Sequence, residues 1–284
     1  MRLFLLIALL MFNLEAKSLF SNSEQADTSK YIGALKDLVI ATQKTRGLTN
    51  NYLNGNTTSL LLIYGNRKDM KKAIGVMESL PLASDPIVNN RATSISRALI
   101  KLNRKAFRKE PAVVFEQYTE QIEEILMLAQ TISKRSAKEL NPVGQKLSAV
   151  MMETILPLCE YVGQMRGMGS GIVAKGSITP MQNAQILAMI DEIETLSSKL
   201  ISDIKVVASN NSGSFNSSIN SKLDAIDKAA RKYVALTTTE LLQKKKINYD
   251  SSTYFDEGTA LISKLIDVYN DCNKVIMSDS KGWL

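Results

Sequence analysis

Two short stretches place an arginine directly before a glycine inside what reads as an amphipathic helix. They are Gln43-Lys44-Thr45-Arg46-Gly47-Leu48-Thr49 and Gly163-Gln164-Met165-Arg166-Gly167-Met168-Gly169-Ser170. Stepping by sevens, Leu35 leads to Thr42 and Thr49, and Val39 leads to Arg46 and Leu53. In the second stretch Cys159 leads to Arg166 and Val173. An α-helix drifts by only ~20° per heptad, so both arginines fall on the face expected to be buried. A buried guanidinium is costly unless paired and hydrogen-bonded, and its planar fork of donors suits a flat oxyanion held by two parallel bonds. Gly47 and Gly167 each cost a helix roughly 1 kcal/mol relative to alanine, which makes sense where a neighbouring backbone or a ligand must come close. Thr49 and Ser170, about a turn further on, are candidate hydroxyl donors. Gln43, a turn before Arg46, is placed to bond its guanidinium or the ligand. The competing expectation is an internal ion pair, in which Glu153, Glu160, Asp37 or a carboxylate from another helix neutralises an arginine.

Other chemistries find little footing. The chain has no histidine, which removes the commonest metal ligand and the commonest general base. It carries no Cys-x-x-Cys, no glycine-rich phosphate loop and no Gly-x-Ser-x-Gly. An enzyme is therefore not expected, nor a metal or other cofactor. Formal net charge is +7, with the basic residues scattered apart from Lys244-Lys245-Lys246 and the stretch from Lys101 to Lys109. Such a field helps to gather small anions, or is simply a solvated basic surface.

The elements that must position the arginines are helices. Only 14 Gly and 6 Pro in 284 residues, with 6% aromatics, is a helical profile, and the hydrophobic period is helical almost throughout. Helices are expected at about 28–53, 58–80, 85–107 and from 111 to the polar stretch Ser133-Lys134-Arg135-Ser136-Ala137-Lys138. Four more follow at about 142–174, 180–208, 217–244 and 252–277. Asn54-Gly55-Asn56 stops the first, Pro157 predicts a kink in the fifth, and Thr179-Pro180 reads as the cap and first turn of the sixth. Asn210-Asn211-Ser212-Gly213-Ser214 reads as a loop. Short connections favour antiparallel neighbours. The expectation is an all-α chain of two up-down-up-down four-helix bundles, related as a pseudo-repeat, over residues 17–138 and 139–284.

Residues 1–16 read as a secretory signal. Arg2 precedes the apolar run Leu3 to Phe12, and Ala16 offers a cleavage site. The run falls well short of the ~20 residues of a spanning helix. Export implies a periplasmic protein with no membrane insertion after cleavage and no nucleic-acid partner. It also makes a disulfide between Cys159 and Cys272 chemically possible, although the two stand at different heights on their helices.

The arrangement resembles the nitrate- and nitrite-sensing (NIT) domain family. The resemblance is carried by Gln43 to Leu53, by Gly163 to Gly171 with the following Ile178-Thr179-Pro180, and by Tyr254-Phe255-Asp256-Glu257-Gly258-Thr259. It covers essentially the whole chain past the signal. It implies two four-helix bundles with nitrate or nitrite held between them by arginines, Arg46 and Arg166 standing at the motif positions. It also implies a basic contact from the penultimate helix, for which Arg231 is the nearest candidate. Asp227 lies one turn earlier, so an exposed Asp227–Arg231 pair competes. Such domains usually serve membrane receptors or antitermination regulators. The expected function is thus a sensor of a small planar oxyanion, signalling by rearrangement of its bundles to a membrane-bound receptor or kinase. The alternative is a helical structural or interaction protein whose arginines close internal salt bridges.

Overall fold

The computed structural model of the chain describes residues 2–210, 213, 215 and 218–279, with residues 2–22 and 279 described through the backbone alone. Helix α1 spans Arg2–Leu53, α2 Ser59–Ser79, α3 Pro86–Lys105 and α4 Pro111–Ser136. Helix α5 runs through Pro142–Val150, a π-helical turn at Met151–Ile155, and Leu156–Lys175. Helix α6 is Pro180–Asn210, α7 is Ile219–Thr237 extended by a π-helical turn at Thr238–Leu242, and α8 is Ser251–Asp279. Among the described residues there is no strand, and the fold is all-α, with two units that each resemble a four-helix bundle.

The sequence punctuates these helices as elementary chemistry requires. Gly55 and Gly176 take positive φ, at 114° and 74°, where the chain leaves α1 and α5. Asp85 accepts from the Ile87 and Val88 amides ahead of Pro86, capping α3. Thr179 Oγ1 accepts from the Gln182 amide at 3.2 Å while Gln182 Oε1 accepts from the Thr179 amide at 3.0 Å, a reciprocal capping box at the start of α6. Asn141 caps α5 from one side, accepting from the Gly144 amide at 2.7 Å.

Some expectations need adjusting. Pro157 was expected to kink the fifth helix; what is seen is the wide turn at Met151–Ile155 just ahead of it. Proline has no N–H to give to the preceding turn, and a π turn is one way a helix absorbs such a gap. Helix α7 stops short of Lys244, its last turn widened in the same manner. Of the expected 210–214 loop and the expected start of α7, Asn211, Ser212, Ser214 and Ser217 lie outside the described residues. Cys159 and Cys272 are buried and free.

Helix α1 is the hub. It packs on α2 and α4 in the first unit, and on α5 and α8 of the second. Helix α5 packs in turn on α6 and α8, and one hydrophobic core runs through both units. The unit boundary is stitched by polar contacts: Gln25 Nε2 gives to the Glu139 carbonyl at 3.2 Å, and Ser29 Oγ to Asn273 Oδ1 at 2.9 Å.

Candidate functional site: two arginines at a glycine crossing

Helices α1 and α5 meet where Gly47 faces Gly167. A Cβ on Gly167 would lie 3.0 Å from the Gly47 Cα, and one on Gly47 would lie 3.2 Å from the Gly167 Cα. The two backbones touch because neither position carries a side chain. The same device extends along α5. A Cβ on Gly169 would run into the Tyr254 ring, and one on Gly163 into the Gln43 amide at 2.9 Å. Asn50 Nδ2 then gives to the Gly167 carbonyl at 2.9 Å, a polar clasp across the crossing.

Arg46 and Arg166 flank this crossing and are 0% and 1% exposed. Their surroundings repeat each other. The Arg46 guanidinium lies over the Phe115 ring at 4.9 Å, and that of Arg166 over Phe255 at 4.4 Å. Each ring also reaches the other unit's glycine. Phe115 Cε2 is 3.0 Å from the Cβ position of Gly167, and Phe255 Cε2 is 2.7 Å from that of Gly47. Nη1 of Arg46 gives to Thr119 Oγ1 at 2.8 Å, and Nη1 of Arg166 to Thr259 Oγ1 at 2.9 Å. Both threonines donate their own proton back to the carbonyl of the phenylalanine one turn earlier. The spacing Phe-x-x-x-Thr in α4 and α8 is the signal that would have located these four residues. The sequence motifs pointed to Phe255 and Thr259 but not to Phe115 and Thr119.

The symmetry breaks at one carboxylate. Glu160, 5% exposed, accepts from Arg46 Nη1 at 2.5 Å and from Arg46 Nη2 at 3.3 Å. Gln43 Nε2 gives to its other side at 2.7 Å, and Gln164 Nε2 gives to Oε1 at 2.9 Å. Arg46 is therefore in the internal ion pair that the sequence left open. Gln43, expected on the guanidinium or the ligand, instead holds the counter-ion in place. Asp37 and Glu153 play no such part; they pair with Lys36 and Lys134 at the surface.

Arg166 has no such partner. Its Nε and Nη2 are buried and make no hydrogen bond among the described residues. These two groups form one edge of the guanidinium, with their N–H bonds parallel, the edge that grips a planar oxyanion. Burial pulls the Arg166 guanidinium down to about 10, against a partial offset from nearby Tyr233, and the like charge of Arg46 lowers it further. The two arginines thus act on each other electrostatically. Burial also holds the Tyr233 and Tyr254 phenols above their ordinary range, so both are neutral near neutral pH.

The remaining candidates sit as follows. Thr49 is fully buried beside Tyr118, whose hydroxyl gives to Asn103 Oδ1 at 2.6 Å. Ser170 is buried but spends its proton on the Gly167 carbonyl at 3.2 Å. Arg231 does not join the site. Its side chain is 78% exposed and its Nε is 3.0 Å from Asp227, an i,i+4 surface pair on α7. A third arginine escaped notice in the sequence. Arg67 on α2 stacks on Phe107 at 4.4 Å.

No curated protein matches the chain. Among solved structures it is similar to the NasR transcription antiterminator, with a TM-score of 0.58 and 12% identity over 98% of this chain and 75% of that one. That finding contradicts the periplasmic location and signal-peptide export expected from residues 1–16. The apolar run Leu3 to Phe12 lies in the same helix, α1, that carries Arg46. The exclusion of nucleic acid rested on export and is withdrawn with it. No helix of the described residues is long and apolar enough to cross a membrane. Residues 37–277 match the family described as nitrate and nitrite sensing, so the chain belongs to the NIT family and carries its oxyanion-sensing fold.

Proposed function

We propose that the chain senses nitrate or nitrite, and that the anion lands on the Nε/Nη2 edge of Arg166 between the two units. One observation carries this: a guanidinium at 1% exposure with a whole bidentate edge unpartnered among the described residues. A buried charge in that state is destabilising until an anion meets it. Arg46 is the second positive charge of the site, with Gln43 acting through Glu160. Thr49 and Ser170 shape the wall rather than lead the binding. As a NIT-family protein the chain is a sensing module and not an enzyme.

The site is closed over, so an anion enters only if α1 and α5 shift at the Gly47–Gly167 crossing. Residues 17–138 and 139–284 are then the bodies that move, and a ligand favouring one arrangement shifts the population toward it. A signalling protein that reads that surface, a receptor or kinase among the options, is the expected partner. Calorimetric titration with nitrate, nitrite, sulfate and chloride tests the proposal. Heat with nitrate or nitrite that disappears in Arg166→Ala supports it; no heat with either at millimolar anion sinks it. The ion pair of Arg46 with Glu160 favours a structural role for that arginine alone, and leaves Arg166 unexplained without a ligand.

A further inference from the structure

We infer that Glu160 sets the charge of the arginine site and so restricts it to monoanions. The inference rests on the proposal that an oxyanion binds at Arg166. The two halves repeat each other around their arginines, yet the carboxylate occurs in only one of them. Glu160 stands six residues before Arg166, and the residue six before Arg46 is Ile40. Glu160 does not serve the arginine of its own helix. It reaches across to Arg46 on α1 and takes both Nη groups. Its oxygens are further held by Gln43 and Gln164, so four donated hydrogen bonds converge on one buried carboxylate. Every one of these partners donates, which is the environment of the ionised form.

The charge count follows. Arg46 and Arg166 bring two positive charges to the crossing, and Glu160 removes one. Tyr233 and Tyr254 are neutral phenols, and Glu257 is paired with Lys232 at 2.7 Å near the surface. The buried centre therefore carries a net +1. A monoanion on the free edge of Arg166 brings it to zero. A dianion would leave an excess negative charge buried beside Glu160, which the low-dielectric surroundings penalise. Glu160 is thus a specificity-determining residue. It also explains why the halves are not identical: one copy of the motif is already occupied by a protein carboxylate, and the other waits for a solute.

The test compares nitrate with sulfate, by calorimetry and by thermal melting at matched ionic strength. In the unaltered protein, nitrate is expected to bind and raise the melting temperature while sulfate does neither. In Glu160→Gln the buried centre rises to +2, and sulfate affinity is expected to increase by about tenfold or more relative to nitrate. The double variant Arg46→Gln/Glu160→Gln removes the pair together and returns the centre to +1. It is expected to lose the sulfate gain again. The inference is overturned if the unaltered protein binds sulfate as well as nitrate, a measurement that requires no variant to fold. It is equally overturned if Glu160→Gln binds nitrate with an unchanged preference over sulfate. Absence of binding by nitrate, nitrite and sulfate alike in the unaltered protein is a separate result: it removes the oxyanion site itself, and the inference with it.

Discussion

At the scale of single residues, Arg46 and Arg166 stand in matching contexts but in opposite electrostatic states. Removing each should therefore have opposite consequences. Arg46→Ala strands Glu160 as a buried carboxylate with only Gln43 and Gln164 to satisfy it. The expected loss is about 3–5 kcal/mol, the usual cost of breaking one side of a buried pair. Arg166→Met removes a charge whose depressed pKa already signals strain, from 12.5 to about 10. It should stabilise the ligand-free protein, because no unpaired charge is then buried, while ending the response to nitrate. Denaturant unfolding of the two variants without anion measures both. Equal destabilisation by both substitutions would show that the asymmetry at Glu160 carries no energetic weight. Much of this was readable beforehand. Heptad steps alone placed both arginines inside, because burial follows from periodicity. Which carboxylate met which arginine was not readable, since Glu160 and Arg46 lie on different helices and their pairing depends on the angle at which those helices cross.

At the scale of elements, the glycines divide into those that hold a contact and those that do not. Gly47, Gly167 and Gly169 sit where an added methyl group meets backbone or an aromatic ring at 3.2 Å or less. Gly65 and Gly75, in the middle of α2, would meet nothing within 4 Å. Gly169→Ala should thus cost about 1–3 kcal/mol by forcing Tyr254 from its place. Gly75→Ala should instead stabilise by roughly 0.5–1 kcal/mol, as alanine does in an open helix interior. Thermal melting of the two variants in parallel provides the check, and a neutral Gly169→Ala would mean that α5 and α8 yield without penalty. The sequence announced Gly47 and Gly167 through their place beside the arginines. Helix ends were also legible, because Asp85-Pro86, Thr179-Pro180 and Gly176 are local signals with local causes. The π turn at Met151–Ile155 was legible only as a disturbance announced by Pro157, and the one at Thr238–Leu242 has no proline or glycine beside it to announce it.

The whole molecule adds two expectations that no single element contains. The first concerns alkaline pH. Burial pushes the thiols of Cys159 and Cys272 from 9.0 to about 12, and the phenols of Tyr31 and Tyr254 from 10.0 to about 12. These groups keep their protons in the fold after the unfolded chain has lost them. Their contribution is fully present below pH 9 and is lost as pH rises toward about 12. Arg166 works the other way, since its folded value lies below its unfolded one and its charge burdens the fold until pH passes about 10. Burial raises the phenols of Tyr118, Tyr161, Tyr233 and Tyr269 in the same direction, so the groups that oppose Arg166 outnumber it and stability should fall steeply above pH 9–10. In Arg166→Met the fall should be steeper still. Urea unfolding from pH 7 to 11 would expose a flat profile if these side chains were less enclosed than they are.

The second expectation joins the site to its output. On the proposed reading the anion edge of Arg166 is enclosed, so binding should be coupled to movement of the units, with the Gly47–Gly167 crossing as the surface expected to slide. Leu62 on α2 and Leu187 on α6 are 61% and 52% exposed, one in each unit. Spin labels placed by Leu62→Cys and Leu187→Cys would report on the separation of the units, and the buried native thiols should stay unlabelled. Nitrate should shift the distance distribution between the labels, and chloride at the same ionic strength should not. With Arg166→Met in the same labelled chain the nitrate shift should vanish, because a ligand moves an equilibrium only by as much as it prefers one state over the other. A distribution that nitrate leaves unchanged, in a protein that calorimetry shows to bind it, would mean that the anion is met by side-chain adjustment alone. The signal would then have to leave by another route than the motion of the bundles.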